Sequence, residues 1–163
     1  MSPNIIITIL TILVFISPTT STTTTAYDII QSYGFPKGIL PIGVTGYKLD
    51  TKTGNFNAFF NKTCSFSLEN TYDLKYQPTI SGIISNGRLT NLSGVSVKVL
   101  FFWLNIVEVY VDKVNDGGVN QLGFSVGIYS AGFPIDNFED CPQCGCGMDC
   151  NGVTHDHTLV SSS

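Results

Sequence analysis

The chain has 163 residues, of which 12% are charged and 43% are hydrophobic, and its formal net charge is −4. This composition excludes disorder over the middle of the chain, because one ordinary domain of this length can bury most of its apolar side chains in one core. Six acidic residues and no Lys or Arg follow Lys113. A surface that carries these acidic residues repels the phosphate backbone of nucleic acid, so nucleic acid is not expected as a partner.

The N-terminus carries an uncharged apolar run from Ile5 to Ile16, followed by a Thr-rich stretch that ends at Ala26. The run is shorter than the roughly 20 apolar residues that span a bilayer, and it has the length of a signal-peptide core. Thr24 and Ala26 suit a cleavage site, although no Lys or Arg precedes the run. We interpret residues 1–26 as a cleaved signal peptide rather than an uncleaved anchor, and we expect no transmembrane span in the mature chain.

Two sequons agree with this interpretation, one at Asn61 (Asn-Lys-Thr) and one at Asn91 (Asn-Leu-Ser). Each would carry a glycan on the surface if it is used. The polar end of the chain has neither the hydrophobic tail of a GPI anchor nor a KDEL-type retention signal. We therefore expect a secreted, extracellular protein.

One helix is predicted, over Tyr27 to Tyr33, directly after the signal peptide. Gly34 can adopt the left-handed conformation that ends a helix, and Pro36 cannot continue one. Further Gly and Pro residues between Gly38 and Gly46 predict an irregular connection rather than a regular element.

Antiparallel β structure is predicted from Tyr47 onward. Thr51–Asn55 has the pattern of a hairpin loop in which Gly54 supplies a positive φ, and Asn86-Gly87 is a strong signal for a second hairpin. We find no βαβ alternation and no internal repeat. With roughly seven to nine strands, residues 27–140 are predicted to form a single all-β domain, an antiparallel β-barrel or sandwich with one short N-terminal helix.

The most regular pattern runs from Val95 to Val111. Val, Phe and Trp occupy its odd-numbered positions, and only Asn105 interrupts them. This face is therefore predicted to point into the core, with Val97 and Trp103 almost fully buried. A straight strand of that length would be unusual, so we interpret Asn105 as a bulge or bend between two strands.

The opposite face of this segment is also apolar at its centre, where it carries Leu100, Phe102, Leu104 and Ile106. Apolar side chains on both faces of a strand indicate that both faces are covered. The cover could be a second protein layer, which would make this an ordinary core, or a partner, or an apolar ligand inside an open barrel. On the last interpretation these four residues form the ligand-binding site, and no cofactor is expected.

A last strand is predicted after Gly118, with four apolar residues on one face: Leu122, Phe124, Val126 and Ile128. Within it, Gly123-Phe-Ser-Val-Gly127 matches the G-x-S-x-G pattern of α/β-hydrolases, which makes Ser125 a catalytic candidate. That pattern supports catalysis only where a strand turns sharply into a helix near a His base. Here the flanks continue as strand and the first His is His155, so we do not expect Ser125 to act as a nucleophile.

Residues 141–163 form a Cys-rich segment and a polar tail, with cysteines at Cys141, Cys144, Cys146 and Cys150. In a secreted chain such a cluster forms disulfides, whereas in a reducing cell the same cluster near His155 and His157 would suggest a structural zinc site. We predict disulfides at these four cysteines and no metal. Cys64 makes the count odd, which leaves one thiol free, buried or intermolecular.

Several motifs follow one another in order along nearly the whole mature chain, among them Gly34-Phe-Pro-Lys-Gly-Ile-Leu-Pro41, Gly94-Val-Ser-Val-Lys98, Leu100-Phe-Phe-Trp103 and Phe133-Pro134. Together they resemble the plant family called domain of unknown function 538. The resemblance implies an all-β, barrel-like fold behind a signal peptide, and no settled biochemistry. Proposals for that family include a likeness to lipid-binding permeability-increasing proteins, a hydrolase role on chlorophyll, and links to stress and trichome growth.

Three functions remain open from the sequence. The leading expectation is a non-enzymatic secreted protein that binds an apolar or lipid-like molecule. The apolar face at positions 100–106 and the family resemblance both favour it. The alternative is an esterase-type hydrolase that uses Ser125, and a structural or signalling protein without a ligand is the third.

Overall fold

A computed structural model describes residues 23–68, 72–113 and 118–147, so most of the predicted signal peptide lies outside the described residues. The described part contains one α-helix, two short 3-10 helices (Lys37–Ile39 and Ile135–Phe138) and one antiparallel sheet. The helix is α1 (Ala26–Ser32), and the strands are β1 (Val44–Leu49), β2 (Asn55–Phe60), β3 (Cys64–Leu68), β4 (Tyr72–Ser85), β5 (Arg88–Val99), β6 (Phe102–Asn105), β7 (Glu108–Asp112), β8 (Gln121–Ser125) and β9 (Ser130–Pro134).

The predicted fold class is confirmed, since the chain is mostly antiparallel sheet with one helix near its N-terminus. The main order of strands is β1-β2-β4-β5-β7-β8-β9, and the sheet is not closed on itself. Among the described residues, no helix has the length and apolar character needed to cross a membrane.

The helix α1 begins one residue earlier than predicted. Thr25 and Asp28 form a capping box, in which the Asp28 carboxylate accepts a hydrogen bond of 2.7 Å from the Thr25 backbone N–H. Ala26 and Ile30 are buried beneath the helix. The folded domain therefore includes Ala26 and its cap, which the predicted boundary had assigned to the signal peptide.

Both predicted hairpins are confirmed. The loop after β1 leads into β2 through Gly54, whose φ is +76° and whose missing Cβ would lie 2.6 Å from the carbonyl oxygen of Ile84. Asn86-Gly87 joins β4 to β5, and Gly87 has a φ of +67°. Glycine adopts such angles without strain, which is why local sequence signals located these turns correctly.

The strands β4 and β5 are the longest in the sheet, and each pairs with different neighbours at its two ends. The first part of β4 pairs with β3 and the last part with β2, while β5 pairs first with β7 and then with β6. The sheet therefore has a second, shorter arm, which consists of β3, residues 72–76 of β4, residues 95–99 of β5, and β6. We call this part the short arm.

The prediction that Trp103 is almost fully buried is wrong. A two-residue turn, Leu100-Phe101, separates β5 from β6, so Val99 pairs with Phe102. Because paired residues in a hairpin share one face, the inward positions change from odd numbers in β5 to even numbers in β6. Trp103 consequently lies on the outer face, 42% exposed, with Lys75 Nζ 4.1 Å from its ring centre.

Val97 does point inward, but it is only half-buried, because it borders a cavity. The predicted interruption at Asn105 is confirmed, since β6 ends at that residue and β7 begins at Glu108. The turn at Leu100-Phe101 was not predicted, because neither residue is typical of a turn.

The last predicted strand is too long. β8 ends at Ser125, and Ile128 lies largely exposed in a turn that leads into β9. The strand β9 (Ser-Ala-Gly-Phe-Pro) was not predicted, because so short a segment with Gly and Pro gives no alternating pattern.

Candidate functional site

A cavity of about 440 Å³ lies between the short arm and the β8–β9 hairpin. Its inner wall is formed by side chains that belong to the buried core: Ile39, Phe66, Leu74, Tyr76, Ile106 and Phe138. Its rim is exposed and carries Tyr129, Ser130, Ala131 and Asn137. The volume falls within the range of about 300–1,000 Å³ that is typical of small-molecule sites.

Strand alternation turns the lining side chains inward. Phe66 of β3 pairs with Leu74 of β4, which in turn pairs with Val97 of β5, so the three side chains form one row across the short arm. Tyr72 lies two residues before Leu74 on the same face of β4, where its ring meets Phe133 of β9 at 5.7 Å between centroids. This contact connects the short arm to the β8–β9 hairpin across the cavity.

The far wall of the cavity is aromatic. Phe124 of β8 packs against Phe133 at 6.0 Å and against Phe138 of the second 3-10 helix at 5.5 Å, both measured between ring centroids. The two 3-10 helices approach each other at Gly38, where a Cβ would meet the carbonyl oxygens of Phe138 and Asp140. Glycine at this position therefore lets the two helices, which both contribute to the lining, pack closely against each other.

No Asp, Glu, Lys, Arg or His lies among the residues that line the cavity in the described part of the chain. The hydroxyl of Tyr76 donates a hydrogen bond of 3.1 Å to the carbonyl oxygen of Ile39, and burial raises the pKa of Tyr76, so the phenol stays neutral. The side chains of Ser130 and Asn137 are at the rim. The cavity can therefore accept an uncharged apolar group, while a charged group would have to stay at the mouth, since burying it unpaired is costly.

The predicted ligand-binding residues are only partly brought together at this cavity. Ile106 lines it and is buried. Leu104 and Phe102 lie on the same inward face of the hairpin but closer to its turn, outside the lining, and Leu100 is exposed in the turn itself. Three of the four residues therefore share one face as predicted, and Leu100 leaves it because the chain turns at Leu100-Phe101. That these residues bind a ligand stays a prediction.

Most of the lining was missed by the sequence analysis. The alternation of Phe66 and Leu68 in β3, and of Tyr72, Leu74 and Tyr76 in β4, shows in the sequence that each strand has an apolar face. The alternation does not show that these faces meet β8 and β9. That contact depends on how the short arm separates from the rest of the sheet.

Ser125 has no nucleophile-elbow geometry. It is the last residue of β8, and the chain continues through a turn into β9 rather than into a helix. Its side chain is almost completely buried, and its Oγ accepts a hydrogen bond of 3.2 Å from the backbone N–H of Gly127. The predicted His candidates, His155 and His157, lie outside the described residues.

The cysteines agree only in part with the predicted set. Cys64 forms a disulfide with Cys144, across a sequence separation of 80 residues, and Cys146 is also disulfide-bonded. Cys141 carries a free thiol, so its assignment to a disulfide was wrong, and Cys150 lies outside the described residues. In the described ranges no group of three His, Cys, Asp or Glu side chains is placed to hold a metal ion.

The disulfide makes the Cys-rich segment part of the cavity wall. Pro142 lines the cavity, and its carbonyl oxygen accepts a hydrogen bond of 2.8 Å from Ile42. Gly145 donates a hydrogen bond of 2.7 Å to the carbonyl oxygen of Ser65 in β3. Residues 141–147 are therefore packed on the β domain rather than separate from it.

The free thiol leads to a prediction about pH. Burial raises the pKa of Cys141, the Lys37 ammonium lowers it, and the Asp140 carboxylate raises it further, with a net increase. Because the thiolate is the reactive form, we expect iodoacetamide to label Cys141 more slowly in the folded protein than in urea at neutral pH. The difference should shrink as the pH rises through the elevated pKa. Mass spectrometry of the labelled peptide measures both rates, and equal rates at neutral pH would contradict the prediction.

The two sequon asparagines, Asn61 and Asn91, are both exposed. Asn61 follows the end of β2, and Asn91 lies within β5 with a φ of 50°, a conformation that Asn tolerates better than most residues. A glycan could reach solvent from either side chain, and their glycosylation stays a prediction.

Comparison with known proteins identifies a family. A family model described as "Protein of unknown function, DUF538" matches residues 26–139. An uncharacterized protein of Arabidopsis thaliana is 26% identical over 85 residues, which are 52% of this chain and 49% of that relative. The match thus spans about half the length of the curated relative. No solved structure matches the chain.

Proposed function

The chain belongs to the plant family described as protein of unknown function, DUF538, and we propose that this member is a non-enzymatic protein that binds an apolar or lipid-like molecule in its cavity. The observation that carries the proposal is the cavity of about 440 Å³, which has a buried apolar wall and an exposed rim. A void of this size in an ordinary core would forfeit packing contacts, whereas a ligand restores them.

The distribution of polar groups favours an amphipathic ligand. Its apolar part lies against Phe66, Leu74 and Ile106, and none of the described residues that line the cavity carries a charge. Its polar end stays at the rim, within reach of Ser130 and Asn137, whose side chains can donate and accept hydrogen bonds. Fatty acids, acylglycerols and sterol-like alcohols have this chemistry.

Secretion is part of the same proposal. The apolar run at residues 5–16, the exposed sequons at Asn61 and Asn91, and the disulfide between Cys64 and Cys144 support it, because disulfides persist in oxidising compartments. An extracellular role in stress or growth, which the family resemblance suggests, is compatible with a carrier of apolar molecules.

Filling the cavity tests the proposal. We expect Val97→Phe to weaken the binding of N-phenylnaphthylamine, an uncharged dye that fluoresces in apolar sites, by about tenfold, since an added ring that competes for the same space costs about 1–3 kcal/mol. The side chain of Val97 borders the void, so the larger ring has room to enter it without disturbing the fold. A fluorescence titration measures the affinity.

The matched control is Val107→Phe, the same substitution at an exposed valine outside the cavity lining. It should bind the dye with the affinity of the unmodified protein. Equal affinities in all three proteins, or an equal loss in both variants, would remove the cavity as the binding site. Displacement of the dye by oleic acid, monoolein or a sterol then identifies the class of ligand.

A further inference from the structure

The most exposed apolar side chains are confined to two turns. Of the large hydrophobic residues that the structure describes, the five most exposed are Leu100, Phe101 and Phe102 at the β5–β6 turn and Ile128 and Tyr129 at the β8–β9 turn. Their exposed fractions run from 70% to 88%, and the next residue, Val119, is 55% exposed. Scattered apolar residues on a surface are ordinary, whereas such a concentration indicates an interaction site.

Both turns border the mouth of the cavity. Val99, which leads directly into the β5–β6 turn, lines the cavity, and so do Val126 and Tyr129 on either side of the β8–β9 turn. The exposed apolar side chains therefore stand at the same end of the molecule as the opening.

The β5–β6 turn is unusual in its residues. Two-residue hairpin turns favour Asn and Gly, because these residues adopt a positive φ easily. Here Leu and Phe occupy both turn positions, and Leu100 has a φ of 56°. A leucine in this conformation is strained, and no packing compensates it, because its side chain is exposed. An interaction of the side chain outside the domain gives a reason for the strain.

We propose that these two turns dock the protein on the surface of a lipid bilayer, with the cavity mouth directed toward the lipid. A two-residue turn projects from the fold, so it suits insertion between lipid headgroups better than it suits contact with a flat protein surface. Docking on a bilayer is distinct from ligand binding in the cavity and can be measured separately from it.

The residues next to the β5–β6 turn are of the types that are found at the headgroup level of a bilayer. Trp103 lies on the outer face, just after the apolar side chains of the β5–β6 turn, and the Lys75 ammonium is 4.1 Å from its ring centre. Lys98 pairs with Trp103 across the hairpin, and its ammonium lies 3.4 Å from the Asp73 carboxylate. Trp and Lys side chains are typical of the headgroup level, where an apolar body lies next to a polar or charged end. Leu100 and Phe101 would reach the acyl chains while Trp103 stays among the headgroups.

Trp103 is the single tryptophan of the chain, and it does not line the cavity, so its fluorescence reports docking and not cavity filling. We expect a blue shift of its emission when vesicles of dioleoylphosphatidylcholine are added, and quenching when the acyl chains of the lipid are brominated. The double variant Leu100→Ser, Phe101→Ser should have a partition coefficient at least about tenfold lower than that of the unmodified protein. The reason is that it loses two apolar side chains of the β5–β6 turn.

The matched control is Val119→Ser, the next most exposed apolar residue, which precedes β8 at the end opposite the β8–β9 turn. It should partition like the unmodified protein. The double variant should still bind N-phenylnaphthylamine, which shows that it is folded, and Val97→Phe should still partition into vesicles, which separates docking from ligand binding. Absence of quenching by brominated lipid, or equal partition of the double variant, would overturn the proposal. The proposal would also be overturned if the unmodified protein bound no vesicles but formed a dimer that the double variant did not form. The two turns would then be an interface between two copies of the chain.

Discussion

Phe56→Ala is expected to lower the free energy of unfolding by about 3–5 kcal/mol, because truncating a buried Phe removes its transfer free energy and leaves a cavity. Phe56 is the largest fully buried side chain of the described core, 1% exposed, and it belongs to the same core cluster as Ile30 of α1 and Leu122 of β8. Urea unfolding measures the change as a shift of the midpoint at constant slope.

Phe101→Ala removes the same atoms from a ring that is 88% exposed, which makes it the matched control. It should change stability by about 0.5 kcal/mol or less, as exposed substitutions do. If Phe56→Ala cost no more than this control, the β2 strand could not lie against the core as described.

The second large effect is expected for the double variant Cys64→Ala, Cys144→Ala, which should lose about 2–5 kcal/mol of stability. The disulfide joins residues separated by 80 positions, and a long closed loop restricts the unfolded chain strongly. The same variant should weaken dye binding, because the disulfide holds the segment that places Pro142 in the cavity wall. Urea unfolding and the dye titration measure the two losses.

Cys141→Ala is the matched control for the disulfide, since Cys141 carries a free thiol. It removes one sulfur from the same segment without opening a covalent loop, so it should leave dye binding unchanged and change stability far less. Equal stabilities of the double variant and this control would contradict the pairing of Cys64 with Cys144.

Features set by local chemistry could be predicted from the sequence. Gly34 after α1, Gly54 before β2 and Asn86-Gly87 between β4 and β5 each mark a position where the backbone needs a special conformation, and the structure has an end or a turn at each. The all-β class followed from the same turns and from the alternating apolar residues between them.

The candidate site could not be predicted in the same way. The turn at Leu100-Phe101 contains no turn-forming residue, so the alternation was continued through it and Trp103 was placed on the wrong face. The cavity depends on contacts between distant elements, such as Tyr72 with Phe133, which no local pattern reveals. The pairing of Cys64 with Cys144 was equally hidden, because cysteine spacing alone does not determine connectivity.

The chemistry of the cavity was nevertheless close to the expectation. The apolar face at positions 100–106 led to the hypothesis of an apolar ligand, and Ile106 of that face does line the void. Most of the other lining residues are also apolar, and they come from β3, β4, β5, β8 and β9, from the two 3-10 helices, from the β8–β9 turn and from Pro142. The same class of ligand is therefore proposed for a site built from largely different residues.

The central claim is that the cavity holds an apolar molecule, and mass spectrometry of the lipids that co-purify with the natively expressed protein tests it most directly. The unmodified protein and Val97→Phe would be purified in parallel and extracted at equal protein concentration. We predict that one class of apolar molecule accompanies the unmodified protein and is depleted about tenfold in the variant whose cavity is filled. The absence of any such molecule, or equal amounts in both proteins, would contradict the claim.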